Sequence, residues 1–420
     1  MSHVHVIGAG LAGLAAAIAL AGAGRGVTLH EAGPAAGGRC RSYFDRGLGC
    51  RIDNGNHLVL SGNRATMGYL DTIGARHLLG GPGKPIFPFL DVATGERWTV
   101  APDPGPIPWW VFRRDTRVPH TGLAEYAQLL RLRGAGAETT VDEALDPRSE
   151  LYRRLLQPLA VAALNTPPDA ALARLLNTVV KETLMRGGRS CIPLYPRVGL
   201  SETFIDPALA WLAARGGALH SGRRVTSLRT TASGVEGFET TEGAVALAPG
   251  DAVVLAVPAW VATGLLPWLR APDQFEAIVN LHYLVDAAVG GAVGGAAGEA
   301  GFLGLIGGTA EWIFIKPGVV SITISAANRL VERGAEELAA AVWPEVRAAL
   351  DLPEAMPPVR VVKERRATFA ATAAQERLRP PARTPLRNLA VAGDWTDTGL
   401  PGTIEGAIRS GNAAALVVLG

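Results

Sequence analysis

The first forty residues constrain this chain more than any other stretch. Val4 to Ile7 is a short apolar run that reads as a buried strand. It enters Gly8-x-Gly10-x-x-Gly13, and a helix pattern of Leu, Ala and Ile follows from Leu11 to Ala23. After Gly24-x-Gly26 a second apolar run, Val27 to His30, stops at Glu31. This is the order of a βαβ unit of about 30 residues, with an acid about 20 residues past the glycines, and it points to dinucleotide binding. Gly8 permits the tight turn, Gly10 lets the backbone approach a pyrophosphate, and Gly13 lets helix and strand pack closely. The helix start at Leu11 and Ala12 offers free N–H groups and a positive dipole end to phosphates. Glu31, with Ala32 beside it, is placed to accept hydrogen bonds from an adenosine ribose, and an acid there argues against a 2′-phosphate. A signal peptide fits poorly, because no positive segment precedes the apolar stretch and glycines interrupt it.

The next residues choose between NAD and FAD. Gly37-Gly38-Arg39 follows Glu31 closely, and Arg41-Ser42-Tyr43 comes after it. A Gly-Gly-Arg in this place resembles the second motif of the FAD-dependent amine oxidase and phytoene desaturase superfamily. There the glycine backbone and the arginine, here Gly38 and Arg39, meet the FAD pyrophosphate. A planar, permanently charged guanidinium suits that task. The other end of the chain agrees. A short strand, Leu389 to Ala392, ends in Gly393-Asp394, and a helix begins near Thr403 after Pro401-Gly402. An acid at a strand end can bond a ribityl hydroxyl. The helix start at Gly402, Thr403 and Ile404 can stabilise negative charge on the reduced flavin's pyrimidine edge. Both ends together favour FAD over NAD.

With 420 residues the chain can bury a large core and hold two to three ordinary domains or two large ones. It is apolar, 48% hydrophobic against 19% charged, and its net charge of +2 gives no case for nucleic acid. Cys40, Cys50 and Cys191 are scattered, which fits a reducing cytoplasm and no metal-site spacing. The apolar stretch Val245 to Leu269 is broken by Asp251 and by Pro249, Pro258 and Pro267, so it does not read as a membrane span.

Between the two ends the rhythm changes. Asp53-Asn54-Gly55-Asn56-His57 has strong turn chemistry. Ile86 to Leu90 and Arg97 to Val100 alternate like antiparallel strands. Trp109-Trp110-Val111-Phe112-Arg113-Arg114 reads either as an interfacial anchor or as a buried aromatic pair. Helix patterns occupy about 121–133, 149–164, 169–185 and 201–216. The stripe Leu151, Leu155, Leu156, Leu159 and Ala163 belongs to a core or to the wall of an apolar tunnel. Strands return at Ala218 to His220, Arg223 to Leu228, Asp251 to Pro258 and Gly318 to Ile324, with a helix at about 328–350. Pro380-Pro381 and Pro385 mark a linker. The expected fold class is α/β: a Rossmann-like FAD-binding domain (1–57, 189–270 and 386–420) and a discontinuous α+β substrate-binding domain (58–188 and 271–385).

Several segments resemble a narrower group, the bacterial squalene-associated FAD-dependent desaturases known as hydroxysqualene dehydroxylases of hopanoid biosynthesis. The segments are Gly37 to Tyr43, Ile52 to His57, Pro158-Leu159 with Leu164-Asn165-Thr166, and Ala392 to Pro401. Gly402 departs from the group, where alanine is expected; the glycine should be tolerated, with a looser helix start. The resemblance implies that Asn54, Gly55, Asn56 and His57 run beside the flavin ring and that the Val225 backbone meets the adenine. It implies reduction of the apolar isoprenoid hydroxysqualene to squalene with loss of water, using NADPH or a reductase as the source of electrons. His57 or Asp397 is the expected proton donor or orienter; Asp397 capping the last helix is the structural alternative. A substrate this apolar implies a protein of the cytoplasm, peripheral on the inner face of the cytoplasmic membrane, with Trp109 and Trp110 as the contact. The alternatives are a carotenoid-type desaturase, an amine oxidase, and a non-catalytic isoprenoid escort protein of the same fold.

Overall fold

Short runs rich in Val, Leu and Ile build a parallel sheet of five strands, described in a computed structural model that covers residues 2–286 and 295–420. In spatial order the strands are Ala218–His220, Gly26–His30, His3–Ile7, Ala252–Leu255 and Leu389–Val391. Every neighbouring pair is parallel. Alternate side chains serve two cores. Val4, Val6, Leu29, Val254 and Ala390 face one way, against the helices Leu11–Gly22 and Ile404–Leu419. Ile7, Val253, Leu255, Leu389 and Val391 face the other, toward a three-stranded antiparallel sheet of Val225–Thr230, Val235–Thr240 and Gly243–Ala246.

The first and last helices lie in direct contact. A Cβ at Gly411 would stand 2.2 Å from the Ala12 carbonyl oxygen and 2.9 Å from the Ala15 Cβ. The helix Arg64–Thr72 adds Met67, Tyr69 and Leu70 to this core, although the sequence reading groups that stretch with the substrate-binding part.

A seven-stranded mixed sheet forms the second body. Its order is Val359–Phe369, Phe275–Leu284, Val319–Ile324, Trp312–Lys316, Phe302–Ile306, Phe87–Asp91 and Arg97–Val100. One face is apolar: Val279, Leu281, Tyr283, Ile322 and Ile324 pack against Leu338, Val342 and Val346 of the helix Ala335–Leu350. The other face carries Asn280, His282, Lys316, Ser321 and Thr323, the alternate residues of the same strands.

A helical region adjoins it. The expected helix over 149–164 is a π-helical turn, Tyr152–Leu156, running into Gln157–Leu164. It ends at Asn165, whose left-handed backbone (φ 47°) closes the helix as asparagine can. The others are Leu123–Ala127 into Gln128–Arg133, Ala173–Glu182, and Ser201–Ile205 into Asp206–Ala213. Leu151 and Leu156 of the expected stripe are buried in a core, with Leu155, Leu159 and Ala163 partly buried against it.

One expectation needs correction. Trp109 and Trp110 do not act together. A short turn, Trp109–Val111, sends the Trp110 ring into the helical core, where it is 7% exposed, and leaves Trp109 58% exposed. No described helix is long and apolar enough to cross a membrane.

Two outcomes follow. Gly411→Val places a branched side chain where even a Cβ meets backbone, so it should destabilise by at least about 2 kcal/mol and lower the thermal midpoint. The second concerns histidines. Burial, with His3 and other histidines nearby, lowers His5 to about 4 and His30 to about 3. The unfolded chain takes up these protons near pH 6.5, and the fold does so only near 3–4. The stability is therefore complete above pH 6.5 and falls as pH drops toward 4. Thermal melts of His30→Gln should show a shallower loss across that window.

Candidate active site

The nucleotide end is shaped by backbone. Gly8 sits at φ 101°, donates its N–H to the His30 carbonyl at 2.8 Å, and would drive a Cβ to 2.4 Å from the Ala256 oxygen. A Cβ on Gly13 would lie 2.0 Å from the Gly8 oxygen, so only glycine fits. Gly10 is different: a Cβ there would meet nothing within 4 Å. It is the extended N-cap residue of the first helix, and no side chain caps that helix. The N–H groups at Leu11, Ala12 and Gly13 are thus aimed into an open cradle. Gly38 closes its side at φ 57°, the position of its Cβ 3.5 Å from the Gly10 Cα.

Glu31 is held in place before any ribose arrives. It accepts the Ala9 and Gly33 N–H groups, each at 2.8 Å. Ala32 beside it is exposed. The Glu31 backbone oxygen accepts the Arg223 N–H at 2.9 Å, which brings the strand beginning at Val225 to the same end of the sheet.

Arg39 and Asp394, 355 residues apart, form an ion pair of 2.6 Å. Arg39 also donates to the Ala367 carbonyl at 2.5 Å. Gly393 donates its N–H to the Ser410 hydroxyl of the last helix at 2.9 Å, fixing the turn that carries Asp394. The Thr403 hydroxyl caps that helix by accepting the Gly406 N–H at 3.1 Å, so Asp397 is not its cap. Gly402 is more than tolerated. A Cβ there would come 2.9 Å from the Thr368 Cβ and 3.1 Å from Asp394 Oδ2, so glycine lets the Asp394 loop lie close to the sheet.

Residues 53–57 cross the polar face of the seven-stranded sheet. The Asn56 amide donates to Thr323 Oγ1 at 3.0 Å, and Thr323 donates to Asn280 Oδ1 at 2.8 Å. Asn280 also reaches the Asn54 carbonyl at 3.5 Å, and Gly55 leaves room for it: a Cβ there would stand 3.0 Å from the Asn280 amide nitrogen. The buried Asp53 carboxylate bonds Lys316 at 2.6 Å, the Ser42 hydroxyl at 2.6 Å and the Leu200 N–H at 2.9 Å. Burial alone would raise the Asp53 pKa, but Lys316 and these donors hold it below the ordinary carboxylate range. His57 lies among these charges. Burial first, then Arg39 and Lys316, lower its pKa to about 4 against the opposing pull of Asp53. His57 is therefore a neutral imidazole at pH 7. Asp397 is exposed and donates its backbone N–H to the Pro380 oxygen at 2.8 Å.

Three groups here escaped the sequence reading. Arg379 stands just before Pro380-Pro381 in what reads as a linker, yet its side chain is fully buried. It bonds the backbone oxygens of Thr396 (3.0 Å) and Asp394 (3.3 Å), the Thr398 hydroxyl (3.0 Å) and the Glu376 carboxylate (2.7 Å). Nothing local in the sequence marks it. Lys316 had a signal: it occupies the inward position of an alternating strand after Trp312 and Phe314. Glu311 is the third. Burial raises its carboxyl to about 7, against the Ser325 N–H bonded to it at 2.7 Å.

The arrangement fits FAD on its own observations. It has an open cradle over an uncapped helix start, a preset acid for the ribose, and an Arg–Asp pair where the two chain ends meet. Asn56 Oδ1 is buried without a hydrogen-bond partner, a free acceptor beside the expected ring position. Among the described residues no His, Cys, Asp and Glu cluster suits a metal.

Known proteins resemble this chain in sequence and fold. The family model described as flavin containing amine oxidoreductase matches residues 11–419. A hydroxysqualene dehydroxylase of Rhodopseudomonas palustris is 46% identical over 417 residues, 99% of this chain and 98% of its own. One of Zymomonas mobilis is 43% identical, covering 100% and 99% of the two chains. Among solved structures, cyclohexylamine oxidase from Brevibacterium oxydans superposes with TM-score 0.70 at 18% identity, covering 100% and 99%. Wild-type putrescine oxidase bound to putrescine gives 0.71 at 16% identity, covering 100% and 99%. At such identity the structural likeness establishes the fold.

Arg379→Leu removes the clamp on the 394–398 loop and takes one partner from buried Glu376. It should cost on the order of 3 kcal/mol and lower the flavin retained on purification, read as the ratio of absorbance at the flavin band to protein absorbance. Full flavin content and an unchanged thermal midpoint would refute the clamp.

Proposed function

The chain belongs to the flavin containing amine oxidoreductase family, on its hydroxysqualene dehydroxylase branch, and from that premise we propose that it reduces hydroxysqualene to squalene with loss of water. The observation that carries this reading is identity of 43–46% along nearly the whole chain to three proteins of that name, with the cofactor cradle intact. FAD, when bound and reduced, supplies the hydride. The hydroxyl is allylic, so the C–O bond breaks to leave a resonance-stabilised cation; the oxygen departs as water once it takes a proton, and the hydride ends on carbon.

The protein's part is to orient the substrate, supply that proton and exclude competing nucleophiles. His57 is a neutral imidazole, so its role in this reading is to donate a hydrogen bond and orient the hydroxyl rather than to act as a standing acid. Asp397 is the second group for proton delivery. Glu311, raised to about 7 by burial, is a carboxyl about half protonated at neutral pH. Electrons come from NADPH or a reductase. The protein works in the cytoplasm against the inner face of the cytoplasmic membrane, where so apolar a substrate resides.

An anaerobic single turnover tests the function. The bound flavin is reduced with dithionite, and hydroxysqualene is added. Reoxidation of the flavin with appearance of squalene is expected; a flavin that stays reduced would overturn the substrate. In the same assay His57→Ala or Asp397→Asn should slow turnover by about 10²-fold or more. Unchanged rates in both would remove them from the proton path. Because His57 titrates near 4, the pH–rate profile should lack a histidine-like step near 6.5.

A further inference from the structure

The loop over residues 104–115 presents apolar groups that no described part of the fold covers. Its turn is firmly rooted. The Trp110 N–H donates to Asp103 Oδ2 at 2.5 Å, and the Trp110 carbonyl accepts the Thr116 hydroxyl at 2.8 Å. Trp110 and Val111 are buried in the helical core. With that pair turned inward, Trp109 and Phe112 project together, their ring centroids 6.0 Å apart. Trp109 is 58% exposed, Phe112 59% and Ile107 52%.

A second segment is built against this loop. Gly188 donates its N–H to the Asp103 carbonyl at 2.7 Å, and Arg189 to the Pro104 carbonyl at 3.3 Å. A Cβ on Gly187 would fall 2.2 Å from the Gly105 oxygen, so the close approach needs glycine. The segment brings exposed Arg186 and Arg189 to the same edge as exposed Arg113 and Arg114. Against these four cations stand Asp103, already paired with Arg113 at 3.3 Å, exposed Asp115, and Glu182, which lies near Arg186 but is paired with Arg409. The edge is thus a rigid apolar tip within a net positive collar.

We propose that this tip docks the protein on an anionic lipid bilayer, with Ile107, Trp109 and Phe112 entering the headgroup layer and the arginines on lipid phosphates. The chemistry of the patch favours a bilayer over a protein partner. Aromatic rings and guanidinium groups are the side chains that settle at a membrane interface. A basic collar gains attraction to an anionic leaflet. The tip is a protruding turn rather than a groove that a peptide or helix would fill. The hydroxysqualene reading gives the docking its purpose, but the lipid binding stands without it.

The test is co-sedimentation of the FAD-loaded protein with phosphatidylcholine vesicles, with and without phosphatidylglycerol. Binding to the anionic vesicles should weaken as salt rises. Trp109→Ser with Phe112→Ser should reduce it by about tenfold or more. Arg113→Gln with Arg114→Gln should remove the preference for anionic lipid. Flavin content and turnover of detergent-dispersed substrate should be unchanged in both variants. Quenching of Trp109 by brominated lipid, lost in Trp109→Phe, would place the ring in the bilayer. Equal vesicle binding by the Trp109/Phe112 double variant would overturn the proposal. So would a wild-type dimer that this variant turns into a monomer, since the tip would then belong to a second copy. Vesicle binding through the tip without turnover of hydroxysqualene would leave the docking in place and remove only the substrate assignment.

Discussion

The close packing of the first helix on the last is the contact from which the cofactor site follows. Gly411 brings the two helix backbones so near that a single Cβ would strike the Ala12 carbonyl. Small residues throughout Leu11–Gly22 make the same approach possible from the other side, and the helix is buried nearly all round. With the helices pressed together, the loops that precede them also meet. One loop carries the Gly10 cradle. The other carries Gly393 and Asp394. Arg39 and Asp394 then come within 2.6 Å across 355 residues of sequence. A partly buried ion pair of this kind adds little net stability, because desolvation offsets most of the Coulomb attraction. Its value is positional: it fixes a cation and an acid at the seam where the pyrophosphate and ribityl chain are expected.

The polar face of the seven-stranded sheet has a similar role for residues 53–57. A sheet in the middle of a protein would ordinarily bury apolar residues on both faces. Here Asn280, Thr323, Lys316 and His282 are buried or largely so on one face, which is unfavourable unless each polar group finds a partner. Most of them do, and the partners belong to one short segment. Asn54, Asn56 and Asp53 are held by side chains from three different strands. The burial of polar groups is thereby converted into a fixed backbone path for residues 53–57. The same surroundings explain why His57 is neutral. Burial is the main cause; the nearby Arg39 and Lys316 charges also oppose a further positive charge, while Asp53 favours it.

Much of the fold was legible in the sequence where the signal was local. The Gly8, Gly10 and Gly13 spacing, the strand before it and Glu31 after it form a recognisable local pattern. Their partners lie largely within one βαβ unit, as where Glu31 accepts the Ala9 N–H, although Gly8 must also clear the Ala256 oxygen. The Gly393-Asp394 turn and the helix start at Thr403 were legible for the same reason. What the sequence pattern missed was long-range. Arg379 looked like part of a proline-rich linker, because its partners are carbonyls of a loop that folds back on it. Trp109 and Trp110 looked like a pair, because adjacency in sequence does not tell which side of a turn each ring takes. Gly402 looked like a harmless departure until Thr368 appeared beside it.

The sequence by itself thus determined the dinucleotide-binding core, which rests on periodicity and on closely spaced glycines, while its resemblance to a known superfamily at Gly37-Gly38-Arg39 and Gly393-Asp394 pointed to FAD. Tertiary structure decided the rest: which polar side chains share a partner, which histidines lose their charge, and which aromatic ring is left facing outward. Those outcomes depend on burial and on charges brought together from distant positions. Dielectric and proximity act through space, and no pattern along the chain carries that information.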